Sequence, residues 1–230
     1  MSLMRRRLMV SYSNNVGMLL HRWRGRKPFI GTLWTDDVRA HHPVDWDVKN
    51  AWQVNDAIVT QSWMTLTTQA LSSAEEDFGK FFVIEINIGA FAIGNVSLPR
   101  YIIDIGMTNQ NAGSIACAVY YRYGKMRAAF RIMNGTEINS AALGLDGIPY
   151  DFTSRGTIRF GVKNNGEGKG QFLLEQKNGA RSVSNPFDMP YIGRDIRWSS
   201  DYALIGRPLH EHDADTINPL AIKQISIYRL

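Results

Sequence analysis

The amino-acid sequence predicts an all-β fold, a two-sheet antiparallel sandwich preceded by an extended N-terminal arm. From about Ile58 onward, short runs rich in β-branched and aromatic residues alternate with turn sequences such as NGTEIN and NNGEGKG. Helical signals are weak, because only residues 72 to 81, SSAEEDFGKF, could support about one helical turn. No apolar run approaches the roughly 20 residues that cross a bilayer. These observations favour short antiparallel strands in one domain.

The predicted strands share a composition of β-branched and aromatic residues with turn formers at both ends. Turn sequences on both sides of residues 170 to 178 predict two successive hairpins. In chain order the strands are residues 58 to 68, 81 to 88, 101 to 107, 114 to 123, 125 to 133, 156 to 164, 170 to 178, 181 to 185, 201 to 206 and 220 to 230.

The last predicted strand departs from simple alternation. Ile225 and Ile227 share one face, but Lys223 has the same parity and would place a charge among them. A β-bulge or a change of strand partner near Lys223 would repair the pattern.

Residues 1 to 50 are predicted as a basic N-terminal arm or edge segment. The first 30 residues carry a charge of +7 without an acidic residue, so the remaining residues sum to −2. This asymmetry implies an assembly partner for the arm. A cleaved secretory signal is not expected, because Ser, Asn and Gly interrupt the apolar stretch that follows the first arginines. The predicted assembly residues are Arg5, Arg6, Arg7, Arg22, Arg24, Arg26 and Lys27.

The last 75 residues resemble the concanavalin A-like, or laminin-G-like, jelly-roll family. RGTIRFGVKNN, the hairpin that follows it, DYALIGRPLHEHD and PLAIKQISIYRL match the family's order of strands, and the final piece is the most specific. The resemblance implies a jelly-roll domain over residues 51 to 230 and carries no functional motif by itself. RRRLM near the start resembles small structural proteins of phages and prophages from gut bacteria.

The resemblance raises the question of glycoside hydrolysis. Laminarinase-like members of the fold carry the strand pattern E-I-D-I-x-E, whose two glutamates act as nucleophile and general acid. Retaining hydrolysis needs two carboxyl groups about 5 to 5.5 Å apart. Here Glu85 is present, Asn87 replaces the aspartate, and Gly89 and Ala90 stand where the second acid is needed. The chain is therefore predicted not to be an enzyme.

The same positions can bind sugars without cleaving them. Glu85, Asn87 and Asp104, which lies on the next predicted strand, are the candidate glycan-binding residues because they can hydrogen-bond to sugar hydroxyls. The alternative interpretation is that these residues face outward on their strands and bind no ligand.

A second polar cluster, HEHDAD, is the candidate metal site. Its residues suit a transition metal if the imidazoles take part, or Ca²⁺ if the acids act alone. Otherwise it is a solvated loop, and no resident cofactor is predicted beyond this possible divalent metal. His41 and His42 could join only if the arm folds back. The cluster residues are His210, His212, Asp213 and Asp215.

Two function classes follow. The first and preferred one is a non-enzymatic phage virion protein, whose arm assembles with other virion proteins or with itself and whose jelly roll decorates the particle or attaches to surface glycans. The second is a stand-alone, lectin-like carbohydrate-binding module, either secreted or on the cell surface. A residual glycoside hydrolase is a further alternative. Neither a membrane nor nucleic acid is expected as a partner.

Overall fold

The structure is a computed structural model of the chain. It describes residues 9–12, 15–38, 45–48, 51–60, 64–66, 81–91, 100–105, 114–132, 137–139, 147–149, 156–177, 179–188, 197–198, 203–206 and 220–230. Within these ranges the chain forms strands and turns but no helix, which confirms the all-β prediction. Among the same residues no helix could span a membrane. The helical turn predicted within 72–81 lies outside the described residues, apart from residue 81.

Strands form where the sequence places β-branched and aromatic residues between turns. All the predicted segments contain strands, and the hairpins on both sides of 170–178 are confirmed. The strands are β1 (Met9–Tyr12), β2 (Asn15–Arg24), β3 (Leu33–Trp34), β4 (Trp46–Asp47), β5 (Ala51–Val54), β6 (Ala57–Thr60), β7 (Met64–Leu66), β8 (Phe82–Phe91), β9 (Arg100–Ile105), β10 (Ser114–Arg122), β11 (Lys125–Ile132), β12 (Glu137–Asn139), β13 (Ile148–Pro149), β14 (Gly156–Asn164), β15 (Gly170–Gln176), β16 (Arg181–Val183), β17 (Arg197–Trp198), β18 (Ala203–Ile205) and β19 (Leu220–Arg229).

These strands form two sheets around one main core. The first sheet has the order β1-β2-β19-β8-β14-β15-β16, and the β5–β6 hairpin joins it because β6 also pairs with β19. The second sheet has the order β12-β11-β10-β9-β18-β7-β4-β3, with β13 beside β11 and β17 beside β10. The pairings are antiparallel except that between β10 and β17. The predicted two-sheet sandwich is therefore present.

Strand β19 changes its partner at the place that the sequence indicates. Residues 220 to 222 pair with β6, whereas Gln224 to Arg229 pair with β2. The register with β8 on the other side passes from Ile222 to Gln224 and skips Lys223. Ile222, Ile225 and Ile227 are consequently all buried on the core side. The bulge and the partner change predicted near Lys223 are both confirmed.

The predicted arm contributes to the sandwich wherever the structure describes it. Strand β2 is the second strand of the first sheet, and Trp23, Trp34 and Trp46 lie together in the main core. The Trp23 and Trp46 rings meet edge to face with centroids 5.8 Å apart. Residues 15 to 24 thus form a strand of the first sheet, and burying the three indoles stabilises the attachment of this part of the chain to the sheets. The boundary at residue 50 stays a prediction.

Gly161 on β14 shows how closely two strands of the first sheet approach each other. A Cβ atom at this position would lie 2.1 Å from the Phe82 carbonyl oxygen on β8. We expect Gly161→Ala to lower the free energy of unfolding by about 1 to 3 kcal/mol, because the strands must separate to admit a methyl group. Urea denaturation followed by circular dichroism measures this change.

Gly89→Ala is the matched control. Its added Cβ would lie 3.5 Å from the Ala221 Cβ, which is an ordinary van der Waals distance. Equal losses of stability in the two variants would contradict the close approach at Gly161.

Candidate functional site

Glu85 and Asn87 lie side by side on the outward face of the first sheet. Their neighbours Ile84, Ile86 and Ile88 fill the main core, so the alternation of β8 turns Glu85 and Asn87 away from it. Asn87 is half-buried and lies opposite Thr157 on β14 and, across the other edge of the strand, opposite Gln224. The structure therefore brings two of the three candidate glycan-binding residues together.

Glu85 belongs to a row of alternating charges that crosses four strands. Its carboxylate accepts a hydrogen bond of 2.8 Å from the Arg159 Nε atom on β14. Arg159 Nη1 lies 3.4 Å from Glu175 on β15, and Arg181 Nε on β16 lies 3.6 Å from the same carboxylate. The strand register places each of these residues directly opposite the next. We call Glu85, Arg159, Glu175 and Arg181 the charge row.

Three of the four side chains of the charge row are largely shielded from solvent, although the row lies on an outward sheet face. The side chains of Glu85, Arg159 and Glu175 are only 13 to 18% exposed. Partial burial strengthens ion pairs that would contribute little at a fully exposed site. The Arg159 guanidinium also occupies the space between the two carboxylates, where a hydrolase would need its substrate. The row is suited to holding four strands in register.

Asp104 lies on the other sheet. It is opposite Ala118 on β10, whose neighbours Cys117 and Val119 face the core, so alternation places Asp104 on the outward side of the second sheet. Asp104 is only 1% exposed. Burial, and to a lesser extent the nearby Asp104 carboxylate, raises the pKa of the Cys117 thiol well above its ordinary value. Because Asp104 is on the second sheet and Glu85 and Asn87 are on the first, the three residues do not form one site.

Three of the basic residues predicted for assembly converge on one carboxylate of their own chain. Asp37 forms ion pairs with Arg24, with Lys27 Nζ at 3.0 Å and with Arg22 Nε at 3.6 Å. Burial opposes ionisation of Asp37, but hydrogen bonds from Arg24 and Lys27 outweigh it and lower the pKa of this carboxyl. Three of the seven basic residues that the sequence assigns to assembly therefore share one acidic partner within the chain, which offsets one of their positive charges.

The remaining basic residues divide between the surface and the undescribed start of the chain. Arg26 is exposed in the turn after β2. Arg5, Arg6 and Arg7 lie outside the described residues, so their role in assembly stays a prediction.

The neighbouring Asp36 fixes the same segment through buried hydrogen bonds. One carboxylate oxygen lies 2.7 Å from His21 Nδ1, and the other accepts backbone N–H bonds from Arg22 and Val38. The Asp36 backbone N–H in turn donates to Asp45 Oδ1. These bonds attach residues 34 to 38 to the edge of β2, so the His21–Asp36 pair has a structural role.

An exposed tryptophan on β5 is absent from the residues that the sequence singled out. Trp52 is 40% exposed and Val54 is 43% exposed, on a strand that pairs only with β6 among the described strands. Trp52 lies opposite Val59, and Val59 lies opposite Ala221 on β19. Because Ile58 and Ile222 fill the core, all these side chains share the outward face of the first sheet. We call Trp52, Val54, Val59 and Ala221 the Trp52 strip.

Polar groups border the Trp52 strip at its hairpin turn. Lys223 at the β19 bulge forms an ion pair with Asp56, which follows Asn55 in the β5–β6 turn. The Gln53 side chain points to the opposite side of β5 and donates hydrogen bonds to the backbone oxygens of Gly25 and Lys27. The hairpin that carries Trp52 is therefore anchored from behind.

The candidate metal cluster falls outside the part of the chain that the structure describes. This holds for His210, His212, Asp213 and Asp215, and also for His41 and His42. Among the residues that are described, no group of three or more His, Cys, Asp or Glu side chains is placed to hold a metal ion. Metal binding by HEHDAD stays a prediction.

Comparison with known proteins identifies the fold through structure alone. No protein-family model matches the chain, and no curated protein sequence does. Solved structures do match, among them the botulinum neurotoxin type G receptor-binding domain, at a TM-score of 0.55 and 12% identity over 91% of this chain. A botulinum neurotoxin serotype D ligand-binding domain in complex with N-acetylneuraminic acid matches at a TM-score of 0.54 and 12% identity over 92% of this chain.

A third similar structure comes from botulinum neurotoxin type C, whose cell entry is described as dependent on two ganglioside molecules. It matches at a TM-score of 0.54 and 12% identity over 92% of this chain. The chain spans about half the length of these structures, 47% in each of the three. At this identity the likeness defines the class of the fold, the β-sandwich found in receptor-binding domains. The phage resemblance finds no support among them.

The pairing of Asp37 with three cations predicts a pH-dependent contribution to stability. We expect Asp37→Asn to lower the free energy of unfolding at pH 7 by about 1 to 3 kcal/mol, because three partly buried cations lose their shared, buried carboxylate partner. Since folding lowers the pKa of Asp37 below its ordinary value of 3.8, its contribution is complete well above pH 3.8. It is lost as the pH falls through the folded-state pKa.

Urea denaturation of wild type and Asp37→Asn between pH 7 and pH 3 tests this expectation, and the two stabilities should converge toward acid pH. Asp188→Asn is the control, because Asp188 is exposed and pairs with Lys169 at 3.3 Å. A gap between wild type and Asp37→Asn that widens toward acid pH would contradict the assigned pairing.

The charge row predicts energetic coupling between its members. We expect Glu85→Gln to lower the free energy of unfolding by about 1 kcal/mol, because Arg159 keeps only Glu175 as a charged partner in the row. A double-mutant cycle with Arg159→Met should give a coupling of about 0.5 to 3 kcal/mol. Glu167→Gln in the exposed β14–β15 turn is the control and should change stability little. Additive effects of the Glu85 and Arg159 substitutions would refute the coupling.

Proposed function

We propose that the chain is a non-enzymatic carbohydrate-binding domain in which the Trp52 strip is the sugar platform. The observation that carries the proposal is the exposure of Trp52 beside apolar side chains on the outward face of the first sheet. A large aromatic ring is normally buried in a sandwich core, as Trp23, Trp34 and Trp46 are. The solvent-exposed indole of Trp52 is the exception among the tryptophans whose side chains the structure describes.

The chemistry of the strip suits a sugar ring. One face of many pyranose rings is lined by C–H groups, and these pack against the negative face of an indole. Val59 and Ala221 extend the apolar surface beyond Trp52 without projecting far above the sheet. The carboxylate of Asp56 and the ammonium group of Lys223 can accept from and donate to hydroxyl groups at the border of the strip. Binding sites commonly combine such an apolar surface with a few polar groups.

Asn87 provides a further polar group on the same sheet face. It lies on β8, three strands from β5 through β6 and β19, which corresponds to roughly 14 Å across the sheet. An oligosaccharide of several units that stacks on Trp52 could reach the Asn87 amide. Glu85 is two residues further along β8 and is engaged by Arg159, so its role in the proposal is structural.

Binding without cleavage is part of the proposal. A retaining hydrolase needs two carboxyl groups close to the scissile bond. On β8, Gly89 and Ala90 stand where the second carboxylate would be required. The closest acid to Glu85 in the charge row is Glu175, and the Arg159 guanidinium separates the two.

The similar structures support the proposal in a limited way. They are receptor-binding or ligand-binding domains, and one holds N-acetylneuraminic acid. Because this chain matches only about half of each, the residues of this chain carry the proposal rather than the ligands of those structures. The virion role stays a prediction. It is argued from a basic arm without a partner in its own chain, and the ion pairs of Asp37 with Arg24 and Lys27 weaken that argument.

A glycan array followed by calorimetric titration tests the proposed function. We expect wild type to bind an oligosaccharide and Trp52→Ala to lose at least tenfold in affinity, or about 1.4 kcal/mol. Trp52→Phe should retain part of the affinity, because a smaller aromatic face remains. Thermal unfolding of Trp52→Ala should remain a single cooperative transition, which would show that the variant is folded.

Ile30→Ala is the control for the loss of an exposed apolar side chain, because Ile30 lies in the turn after β2 and is 61% exposed. The proposal fails if no glycan binds, or if Trp52→Ala binds as wild type does. Release of reducing ends from a β-glucan by wild type, abolished in Glu85→Gln, would instead establish hydrolysis.

A further inference from the structure

The turn between β10 and β11 contains a residue that its backbone conformation disfavours. Tyr123 and Gly124 form a two-residue hairpin turn with φ angles of 51° and 76°. Such turns favour Asn-Gly, because a side chain other than Asn or Asp is strained in the left-handed region. The β5–β6 turn follows this preference, since Asn55 has a φ of 55°. Tyrosine at position 123 therefore needs a reason other than turn formation.

The Tyr123 ring is displayed to solvent. It is 59% exposed, which is more than the 40% of Trp52. The Arg122 guanidinium lies over the ring, with Cζ 4.7 Å from the centroid. Arg122 Nη2 also donates to the tyrosine hydroxyl at 3.2 Å. This arrangement holds an aromatic ring and a cation together at the tip of the hairpin.

Two further cations lie on the same face of the hairpin. Arg122 is directly opposite Lys125, and Tyr120 is directly opposite Arg127. Tyr121 and Met126 fill the core side, so alternation places the three cations on the outward face of the second sheet. Like charges directly opposite each other disfavour the hairpin. The continuous segment 114 to 132 itself contains no acidic residue.

We propose that this tip, formed by Tyr123 with Arg122, Lys125 and Arg127, is a second binding site that takes an acidic sugar. The ring supplies a stacking surface for the apolar face of the sugar, and the cations bind its carboxylate or sulfate group. Residues that weaken a fold locally tend to lie at functional sites. The tip has two such features, namely a turn residue in a disfavoured backbone conformation and two like charges, Arg122 and Lys125, directly opposite each other. This site lies on the second sheet and does not depend on the Trp52 strip.

The dimensions of the tip favour a compact ligand. The cations lie within six residues of one hairpin and accompany a single exposed ring, which suits one sugar unit with one anionic group. Single-stranded nucleic acid is bound along an extended basic groove with several stacking rings.

Calorimetric titration with 3′-sialyllactose, and with lactose as its neutral counterpart, tests this site in the full chain. We expect wild type to bind 3′-sialyllactose at least tenfold more tightly than lactose, with an affinity that falls as salt is raised. Lys125→Glu and Tyr123→Asn should each lose at least tenfold in affinity. Tyr123→Asn should also melt at the same or a higher temperature than wild type, because asparagine suits the turn. Lys177→Glu, which changes an exposed lysine in the turn after β15, should bind as wild type does.

Several results would overturn the assignment. One is that wild type binds lactose as tightly as 3′-sialyllactose. Another is that Lys125→Glu and Tyr123→Asn both keep the wild-type affinity for 3′-sialyllactose. A third is that wild type binds a single-stranded oligonucleotide equally tightly and that the same two variants abolish this binding. Absence of any binding to 3′-sialyllactose by wild type overturns it as well. Trp52→Ala separates the two proposals, because it should leave 3′-sialyllactose binding unchanged. Loss of this binding in Trp52→Ala alone would place the acidic sugar on the Trp52 strip instead.

Discussion

The pairing of β19 with β8 is the constraint on which the first sheet depends. These two long strands form its centre, and β19 uses its other edge for β6 and then for β2. Two adjacent register shifts, one between Ala221 and Ile222 and one at Lys223, accompany this exchange, and Ile222, Ile225 and Ile227 all stay in the core. Because β6 is attached only through this part of β19 among the described strands, the position of the β5–β6 hairpin and of its Trp52 side chain follows from the bulge.

Alternation along the same strands separates the two faces of the first sheet. Ile84, Ile86 and Ile88 close the core, and Glu85 and Asn87 are left outside it. Once Glu85 faces outward, the register determines its neighbour, since Arg159 is directly opposite on β14. A carboxylate that the sequence offers as a remnant of catalysis thus becomes part of a structural ion-pair row. Arg159 contacts both carboxylates of this row, Glu85 at 2.8 Å and Glu175 at 3.4 Å.

Much of this fold can be predicted from sequence because its signals are local. The strand positions, the hairpins around 170 to 178 and the bulge at Lys223 all depend on residues close in the chain. The partners of Arg22 and Arg24 could not be found in this way, because Asp37 is brought to them only by the fold. The burial of Trp23 can be predicted in part, because the alternation of side chains along a strand places Trp23 on the face opposite Arg22 and Arg24. The assignment of Asp104 to the other sheet required the full topology.

Exposure is the property that local sequence patterns predict least well, and it is also the property that defines both candidate surfaces. Trp23 and Trp52 are the same residue type on strands of the same sheet, yet one is in the core and the other faces solvent. Their difference arises from strand parity and from the place of β5 at the side of the sheet, which long-range pairing decides. Tyr123 differs, because the YG turn between two strands already departs from the Asn-Gly preference in the sequence. A residue that contradicts the backbone preference of its turn can therefore be recognised from the amino-acid sequence alone.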